Sequence, residues 1–227
     1  MQAYHAGKRD ASIVVYDDYE RDEVPVSYFF RRPSEFPALE RTALDLCRGR
    51  VLDVGAGSGC HSLVLQDRGF DVTAIEVLPS LVQVMKERGV RQVRPASWMD
   101  VDAGTFDTVL MMMNGLGLVE TLAGLRFFFE DARRLLRPGG QVIADSTDVR
   151  VKLDPAAAKS GTMKRKDGRY LGELHFQLEF EGRKGPPFSQ LWVDAQTLER
   201  YAIEGGWGCE VVLAPDEFGN FLVRLTP

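Results

Sequence analysis

One stretch of the sequence combines residue types and spacing that could do chemistry: Val51-Leu52-Asp53-Val54-Gly55-Ala56-Gly57-Ser58-Gly59. It reads as a strand, a tight glycine turn and a helix start. Glycine is needed where backbone must approach a ligand closely or take a positive φ. The helix start behind the turn offers free N–H groups and partial positive charge, which suits an anionic group. Two kinds of ligand use this geometry. A dinucleotide wants Gly-x-Gly-x-x-Gly, with its pyrophosphate on the helix N-terminus. Here the third glycine comes one position early, at Gly59, and Cys60 stands where that fingerprint has glycine. Asp53 is the second difference. A carboxylate beside a pyrophosphate is repulsive. Beside a ligand carrying an ammonium and a sulfonium it is favourable.

These residues need a frame. From Val51 the pattern alternates short apolar runs with amphipathic stretches. It predicts strands at 50–54, 71–76, 90–94, 106–113 and 140–146, and helices at about 58–68, 79–88 and 121–136. Gly69 and Gly89 follow two of these helices as stop signals, and Pro138-Gly139-Gly140 stops the third. Such repetition predicts an α/β fold: a mostly parallel sheet with helices on both faces. The run Val109-Leu110-Met111-Met112-Met113 is apolar on both sides, as a buried parallel strand should be.

The flanking segments read differently. Residues 1–34 are expected to form an N-terminal flap outside the central sheet, with β-prone Ile13, Val14 and Val15 ahead of an acidic, turn-like stretch from Tyr16 to Glu23. A helix is expected over 35–47, with Ser34 as its cap. The pattern breaks after Asp148. The small, basic segment 154–169 is expected to be a mobile loop, either a solvated linker or a lid over an anionic substrate. Residues 171–180 alternate apolar and polar, the signature of a half-buried antiparallel strand. Gly182 to Pro187 turns the chain, and Phe188 to Val193 returns as a hairpin partner. A helix at about 195–205 and strands at about 209–213 and 220–225 close the chain. Residues 35–227 thus read as one domain, with 148–193 as an insertion that shapes an acceptor site or a dimer contact.

Composition narrows the partners. The 227 residues carry 28 Lys and Arg against 33 Asp and Glu, a formal net charge of −5. That balance gives no basic face for nucleic acid. No apolar run approaches the roughly 20 residues that span a bilayer, and the first residues lack a signal-peptide apolar region. No membrane partner is expected. Cys47, Cys60 and Cys209 are too few and too far apart for a disulfide framework or a zinc cluster, and read as free thiols in a reducing cytosol. A cytoplasmic protein with no metal, monomeric or homodimeric, is the expectation.

Leu52-Asp53-Val54-Gly55-Ala56-Gly57-Ser58-Gly59 resembles the first signature motif of the class I S-adenosylmethionine-dependent methyltransferases, and the resemblance extends over about residues 45–147. Phe106-Asp107-Thr108-Val109-Leu110 is similar to the family's fourth strand, and Leu135-Leu136-Arg137-Pro138-Gly139-Gly140 to the turn before its fifth. The resemblance implies a Rossmann-like, seven-stranded, mostly parallel sheet closed by a C-terminal antiparallel hairpin, here with an inserted β-hairpin after the fifth strand. It implies S-adenosyl-L-methionine as cofactor. Glu76 and the neighbouring Val77 fall where the family holds the ribose hydroxyls. Pro95-Ala96-Ser97-Trp98 falls where it contacts adenine; many members have an aspartate there, and Ser97 and Trp98 stand in its place. His61 is expected to cover the methionine end, and Met113 and Asn114 to line the pocket at a strand's carboxyl end. The expected cofactor-binding set is therefore Asp53, Gly55, Ala56, Gly57, Gly59, His61, Glu76, Val77, Ser97, Trp98, Met113 and Asn114. Tyr28, Phe29 and Arg31 are placed to cap it from the N-terminal side.

Methyl transfer from a sulfonium is a direct displacement that needs alignment more than acid or base. No obligatory catalytic residue can therefore be read from the sequence. Asp145, His175, Glu173 and Tyr28 are the candidate bases should the acceptor need one. After the fourth strand, Met113-Asn114-Gly115-Leu116-Gly117 is not the [DN]-P-P-[YFW] signature of enzymes that methylate amino groups of DNA bases or glutamine, and there is no Pro-Cys nucleophile for cytosine. A small-molecule acceptor is expected, with O-, N- or C-methylation left open. The alternative is a non-catalytic protein that binds the cofactor as a partner or regulator, in which side chains would fill the acceptor cavity.

Overall fold

The computed structural model describes residues 1–153 and 168–227. Its centre is a seven-stranded sheet of β3 (Arg50–Val54), β4 (Asp71–Glu76), β5 (Val93–Pro95), β6 (Phe106–Met111), β7 (Leu136–Thr147), β11 (Gly208–Leu213) and β12 (Asn220–Thr226). The order across it is β11-β12-β7-β6-β3-β4-β5. Strands β5, β4, β3, β6 and β7 pair in parallel, while β12 is antiparallel to β7 and β11 antiparallel to β12. This is the expected Rossmann-like sheet with its C-terminal antiparallel hairpin. The chain leaves β3 toward β4 and β5, then returns to β6 and β7 on the other side. The strand order thus reverses beside β3, and ligands bind at the carboxyl ends of strands at such a point.

Alternation along the strands builds a core on each face. Leu52, Val54, Val109, Met111, Val142 and Ala144 pack with Leu125, Phe128 and Phe129 of α5 (Leu122–Asp131) and Leu198 and Ala202 of α6 (Ala195–Glu204). Their neighbours Val51, Leu110, Ile143 and Leu222 pack on the other side with Ala43 and Leu44 of α2 (Ala38–Leu46) and Val64 and Leu65 of α3 (Cys60–Asp67). Met85 of α4 (Pro79–Glu87) covers Ala74 on that same side.

Several boundaries move for local reasons. The third strand starts at Val93 rather than 90, because Val90 is drawn back onto α4, where its N–H donates to Met85 O at 3.0 Å. Strand β6 stops at Met111 rather than 113, because Met113 and Asn114 both take left-handed φ, +64° and +59°. The helix expected over 121–136 ends at Asp131, followed by a single 3-10 turn. Strand β7 starts at Leu136, which pairs with Phe106, so Pro138-Gly139-Gly140 forms a register irregularity inside the strand rather than a turn before it.

A second sheet joins the N-terminal segment to the insertion, which the sequence reading kept apart. Residues 1–34 give a short helix, α1 (Gln2–His5), and a hairpin of β1 (Ser12–Tyr16) and β2 (Arg21–Pro25). Asp17 makes the turn, its Oδ1 accepting from the N–H groups of Tyr19 and Glu20 at 2.7 and 2.9 Å. The insertion contributes β8 (Glu173–Phe180), the two-residue β9 (Arg183–Lys184) and β10 (Phe188–Leu191). The order is β10-β8-β1-β2, with β9 also on β8, all antiparallel. Of the acidic stretch read as a turn, Tyr16 to Glu23, residues 17–20 form the turn and residues 21–23 belong to β2. The basic loop expected over 154–169 falls mainly on 154–167, outside the described residues. Among the described residues, no helix is long and apolar enough to cross a membrane.

Candidate active site

The glycine turn leaves β3 with Gly55, Gly57 and Gly59 at φ +67°, +58° and +83°, conformations that disfavour any side chain. The N–H groups of Gly55 and Ala56 donate to Ile75 O at 3.0 and 3.1 Å, and that of Gly59 to Ala56 O at 2.8 Å. Gly57 N–H donates to Glu76 Oε2 at 3.2 Å. These four donors are used within the protein, so the turn offers a ligand close approach more than hydrogen bonds. A Cβ on Gly59 would lie 2.8 Å from Val90 Cγ2. Its role is to let α3 pack on α4.

Two carboxylates flank the turn. Asp53 is buried, and Ser62 Oγ donates to its Oδ2 at 2.5 Å. The Ser62 N–H also bonds it, so Asp53 sits against the positive end of α3. Burial pushes its carboxyl up from the usual range, against the pull of His61 and these bonds. Glu76 ends β4, and Leu78 N–H donates to its Oε1 at 3.0 Å. One backbone N–H thus holds each oxygen, and the remaining lone pairs are left to a cavity.

That cavity has two lobes. The first, of about 250 Å³, is lined by Asp53, Gly55, Ala56, Gly57, His61, Glu76, Met113 and Asn114 among others. The second, of about 430 Å³, shares Gly55, Glu76 and Leu118 with it and adds Val77, Ser97, Trp98 and Met99. Eleven of the twelve expected residues line one or both lobes, Gly59 being the exception. Trp98 is only a part of the wall. It is buried, packing edge-on to Phe128 with ring centroids 5.4 Å apart. The exposed Val77, Met99 and Leu118 offer more apolar surface to the second lobe. Sequence reading missed Met99 and Leu118. Met99 stood next to the expected pair, but Leu118 arrives through a 3-10 turn, Gly115–Val119, that carries no motif.

The N-terminal segment closes the first lobe. Phe29 lines it, and Phe29 O accepts from Cys60 Sγ at 2.8 Å and from Ser58 Oγ. Arg31 Nη2 donates to Glu40 Oε1 at 2.6 Å, and His61 Nε2 to Glu40 Oε2 at 2.8 Å. Burial alone would raise the Glu40 carboxyl; the His61 and Arg31 bonds override it and hold it below its usual range. This buried chain of three ties the segment before α2 to the first turn of α3.

A third cavity, of about 270 Å³, adjoins the first lobe and shares Met113 and Asn114 with it. Tyr28, Glu40, Asp145, Thr147, Trp192 and Asn220 are among its walls. Asp145, near the carboxyl end of β7, is buried, and its oxygens accept the N–H groups of Asn114 and Gly115 at 3.0 and 2.9 Å. Burial pushes its carboxyl up to about 6, against the pull of these two bonds. The inserted hairpin reaches both chambers, with Gln190 in the first lobe and Trp192 in the third cavity. Of the four candidate bases, Asp145 and Tyr28 line the third cavity. His175 is exposed beside Asp18, and Glu173 Oε1 accepts from Leu122 N–H at 2.9 Å, away from the site. The third cavity is a chamber rather than a space filled by side chains, which removes the structural feature that the non-catalytic alternative required.

Comparisons with known proteins agree with this geometry. Residues 52–144 match the family model described as a methyltransferase domain. The whole chain is similar to a SAM-dependent methyltransferase from Bacteroides fragilis, solved with S-adenosyl-L-homocysteine. Identity is 38% and the TM-score 0.85, over 99% of this chain and 91% of that one. The chain is 26% identical over 178 residues to the demethylmenaquinone methyltransferase of Tropheryma whipplei (strain Twist), covering 66% of this chain and 72% of the relative. It is 36% identical over 107 residues to the ubiquinone biosynthesis O-methyltransferase of Xanthomonas oryzae pv. oryzae (strain PXO99A), spanning 43% of that relative's length.

Proposed function

Because the chain belongs to the class I S-adenosylmethionine-dependent methyltransferases and is an enzyme of that family, we propose that it methylates a small molecule held in the third cavity. S-adenosylmethionine is its cofactor and supplies a methyl group already activated as a sulfonium. The observation that carries the reading is the shared wall: Met113 and Asn114 face both the two-lobed cavity and the chamber beside it.

The residues present fit that cofactor. Glu76 would take the ribose diol, since a carboxylate with lone pairs to spare suits two adjacent hydroxyls. Asp53, acting with Ser62 and His61, sets the electrostatics of the methionine end. Val77, Ser97, Trp98, Met99 and Leu118 would enclose the adenine in the second lobe. Phe29 and the Arg31–Glu40–His61 chain keep water from the first lobe. The work left to the protein is alignment, which can be worth roughly 7–11 kcal/mol without an acid or base. Left-handed Met113 and Asn114 supply it by turning the end of β6 between the two chambers; strain of this kind gathers at sites that need a fixed geometry. The mild acidity of the chain and the names of two relatives, a demethylmenaquinone methyltransferase and a ubiquinone biosynthesis O-methyltransferase, support a small-molecule acceptor.

Calorimetric titration with S-adenosyl-L-homocysteine, with NAD as control, tests the cofactor assignment. Micromolar binding of the first and none of the second is expected. Glu76→Ala and Asp53→Asn should each weaken binding tenfold or more, roughly 1.4 kcal/mol. Unchanged affinity in both variants means that the residue assignment is wrong.

A further inference from the structure

Among the described residues, three side-chain nitrogen or oxygen atoms are fully buried with no hydrogen-bond partner: Arg31 Nε, Asn114 Oδ1 and Trp192 Nε1. Buried polar atoms are normally paired, so orphans that gather in one place call for an explanation. Asn114 and Trp192 both line the third cavity, and Arg31 stacks at 3.8 Å on Tyr28, which lines it too. The orphans specify opposite partners. Asn114 Oδ1 can only accept, and the indole N–H of Trp192 can only donate. The Asn114 amide is oriented, because its Nδ2 donates to Leu191 O at 3.5 Å.

Charge narrows the partner further. The described walls of this cavity carry three carboxylates, Glu40, Asp145 and Asp216, and no Lys, Arg or His. Glu40 is balanced from behind by Arg31 and His61. Asp216 is exposed, and its Oδ1 is occupied by the N–H groups of Phe218 and Asn220. Asp145 is the buried carboxylate with no ion pair, held only by two backbone N–H groups. An anionic acceptor would meet like charge here. A cationic one brings the missing counter-charge, and an ammonium has donors enough for both Asp145 and Asn114 Oδ1.

We propose that the acceptor is an amine, bound as its ammonium by Asp145 and oriented by Asn114 Oδ1, with Trp192 Nε1 donating to a hydrogen-bond acceptor elsewhere in the same molecule. The proposal rests on the third cavity being the acceptor site. The ammonium gives one proton to the Asp145 carboxylate, which passes it to solvent, and this frees the nitrogen lone pair. That pair forms the C–N bond as the methyl C–S bond breaks and its electrons return to sulfur. The products are the N-methylammonium, S-adenosylhomocysteine and one released proton.

The test uses three ligands of one shape: benzylamine, benzyl alcohol and benzoate, titrated into the full chain saturated with S-adenosyl-L-homocysteine. Benzylamine is expected to bind at least tenfold more tightly than either of the others at pH 8. Its preference over the alcohol should fall as pH drops through about 6, where Asp145 takes up a proton. The other groups facing Asp145 are Glu40, with His61 and Arg31 behind it, and Asp216 at the rim. Asp145→Asn separates Asp145 from these, because the amine-to-alcohol ratio should then drop close to one and lose most of its pH dependence. With S-adenosylmethionine in place of the homocysteine, mass spectrometry should find the methyl on nitrogen. Benzoate or the alcohol binding as well as the amine, an unchanged ratio in Asp145→Asn, or no acceptor binding at millimolar concentration overturns the proposal. Failure of S-adenosyl-L-homocysteine itself to bind would instead sink the cavity assignment beneath it.

Discussion

Asp145 shows how a site residue leaves its mark on stability. A carboxyl ordinarily near 3.8 stands at about 6 in the folded chain because burial disfavours its charge. The folded value is raised, so the unfolded chain ionises first as pH climbs. Stability therefore falls between about pH 4 and 6 and does not recover above that. Asp145→Asn removes the buried charge but turns an amide NH2 toward one of the two backbone N–H groups that Asp145 accepts. The variant is expected to be less stable than the parent at pH 4, by about 1–3 kcal/mol, and to close much of that gap at pH 8, where the parent carries the buried charge. Urea unfolding at both pH values checks this, and an equal difference at both would show that charge is not the cause. Glu40 behaves oppositely. Its carboxyl is held low by His61 and Arg31, so it stabilises the fold above its usual range, and that support is lost as pH falls through the depressed value.

At the scale of the element, the turn from β3 to α3 contains glycines of two kinds. Gly57 carries φ +58°, and an added Cβ would meet only Gly55 O at 3.9 Å, beside the cavity. Gly59 carries φ +83°, and its Cβ would collide with Val90 at 2.8 Å and press on Met85 at 3.1 Å. Gly57→Ala should cost only the backbone term, about 1–2 kcal/mol, but weaken S-adenosyl-L-homocysteine binding tenfold or more. Gly59→Ala should cost more in stability, because overpacking adds roughly 1–3 kcal/mol to the same backbone term, and should affect binding mainly through that loss. Thermal melts beside calorimetric titrations of the two variants distinguish these outcomes. The turn thus joins a part that meets ligand to a part that locks α3 on α4, though both read as glycine in the sequence.

For the molecule as a whole, the antiparallel second sheet couples the beginning of the chain to the insertion. Val14, Val15 and Tyr16 pair with Glu179, Leu178 and Gln177, and Lys152 Nζ reaches Asp17 Oδ2 at 2.6 Å. The same N-terminal segment delivers Phe29 to the first lobe and Arg31 to Glu40. A chain starting at residue 35 would leave β8 without this partner, Glu40 without Arg31 and the first lobe without its cover. It is expected to melt at lower temperature and, where it folds, to bind S-adenosyl-L-homocysteine at least tenfold more weakly. Full affinity in the truncated chain would show that residues 1–34 are dispensable to the site.

The sequence by itself determined the strands around the glycine turn, the order of strands and helices through 50–146, and eleven of the residues that wall the two-lobed cavity. These are local matters. Glycine spacing, strand periodicity and a carboxylate at a strand end are written within a few residues of each other, as at Asp53 to Gly59 and at Glu76. Tertiary structure alone decided the third cavity. Tyr28, Glu40, Asp145 and Trp192 come from four separated segments, and no short spacing records that they meet. It also decided that residues 21–25 are a strand, because this segment pairs with one edge of β1 while β8 covers the other. Met113 and Asn114 stand between the two cases. Their position at a strand end was legible, while their left-handed backbone follows from Asp145 accepting the next two N–H groups across the sheet.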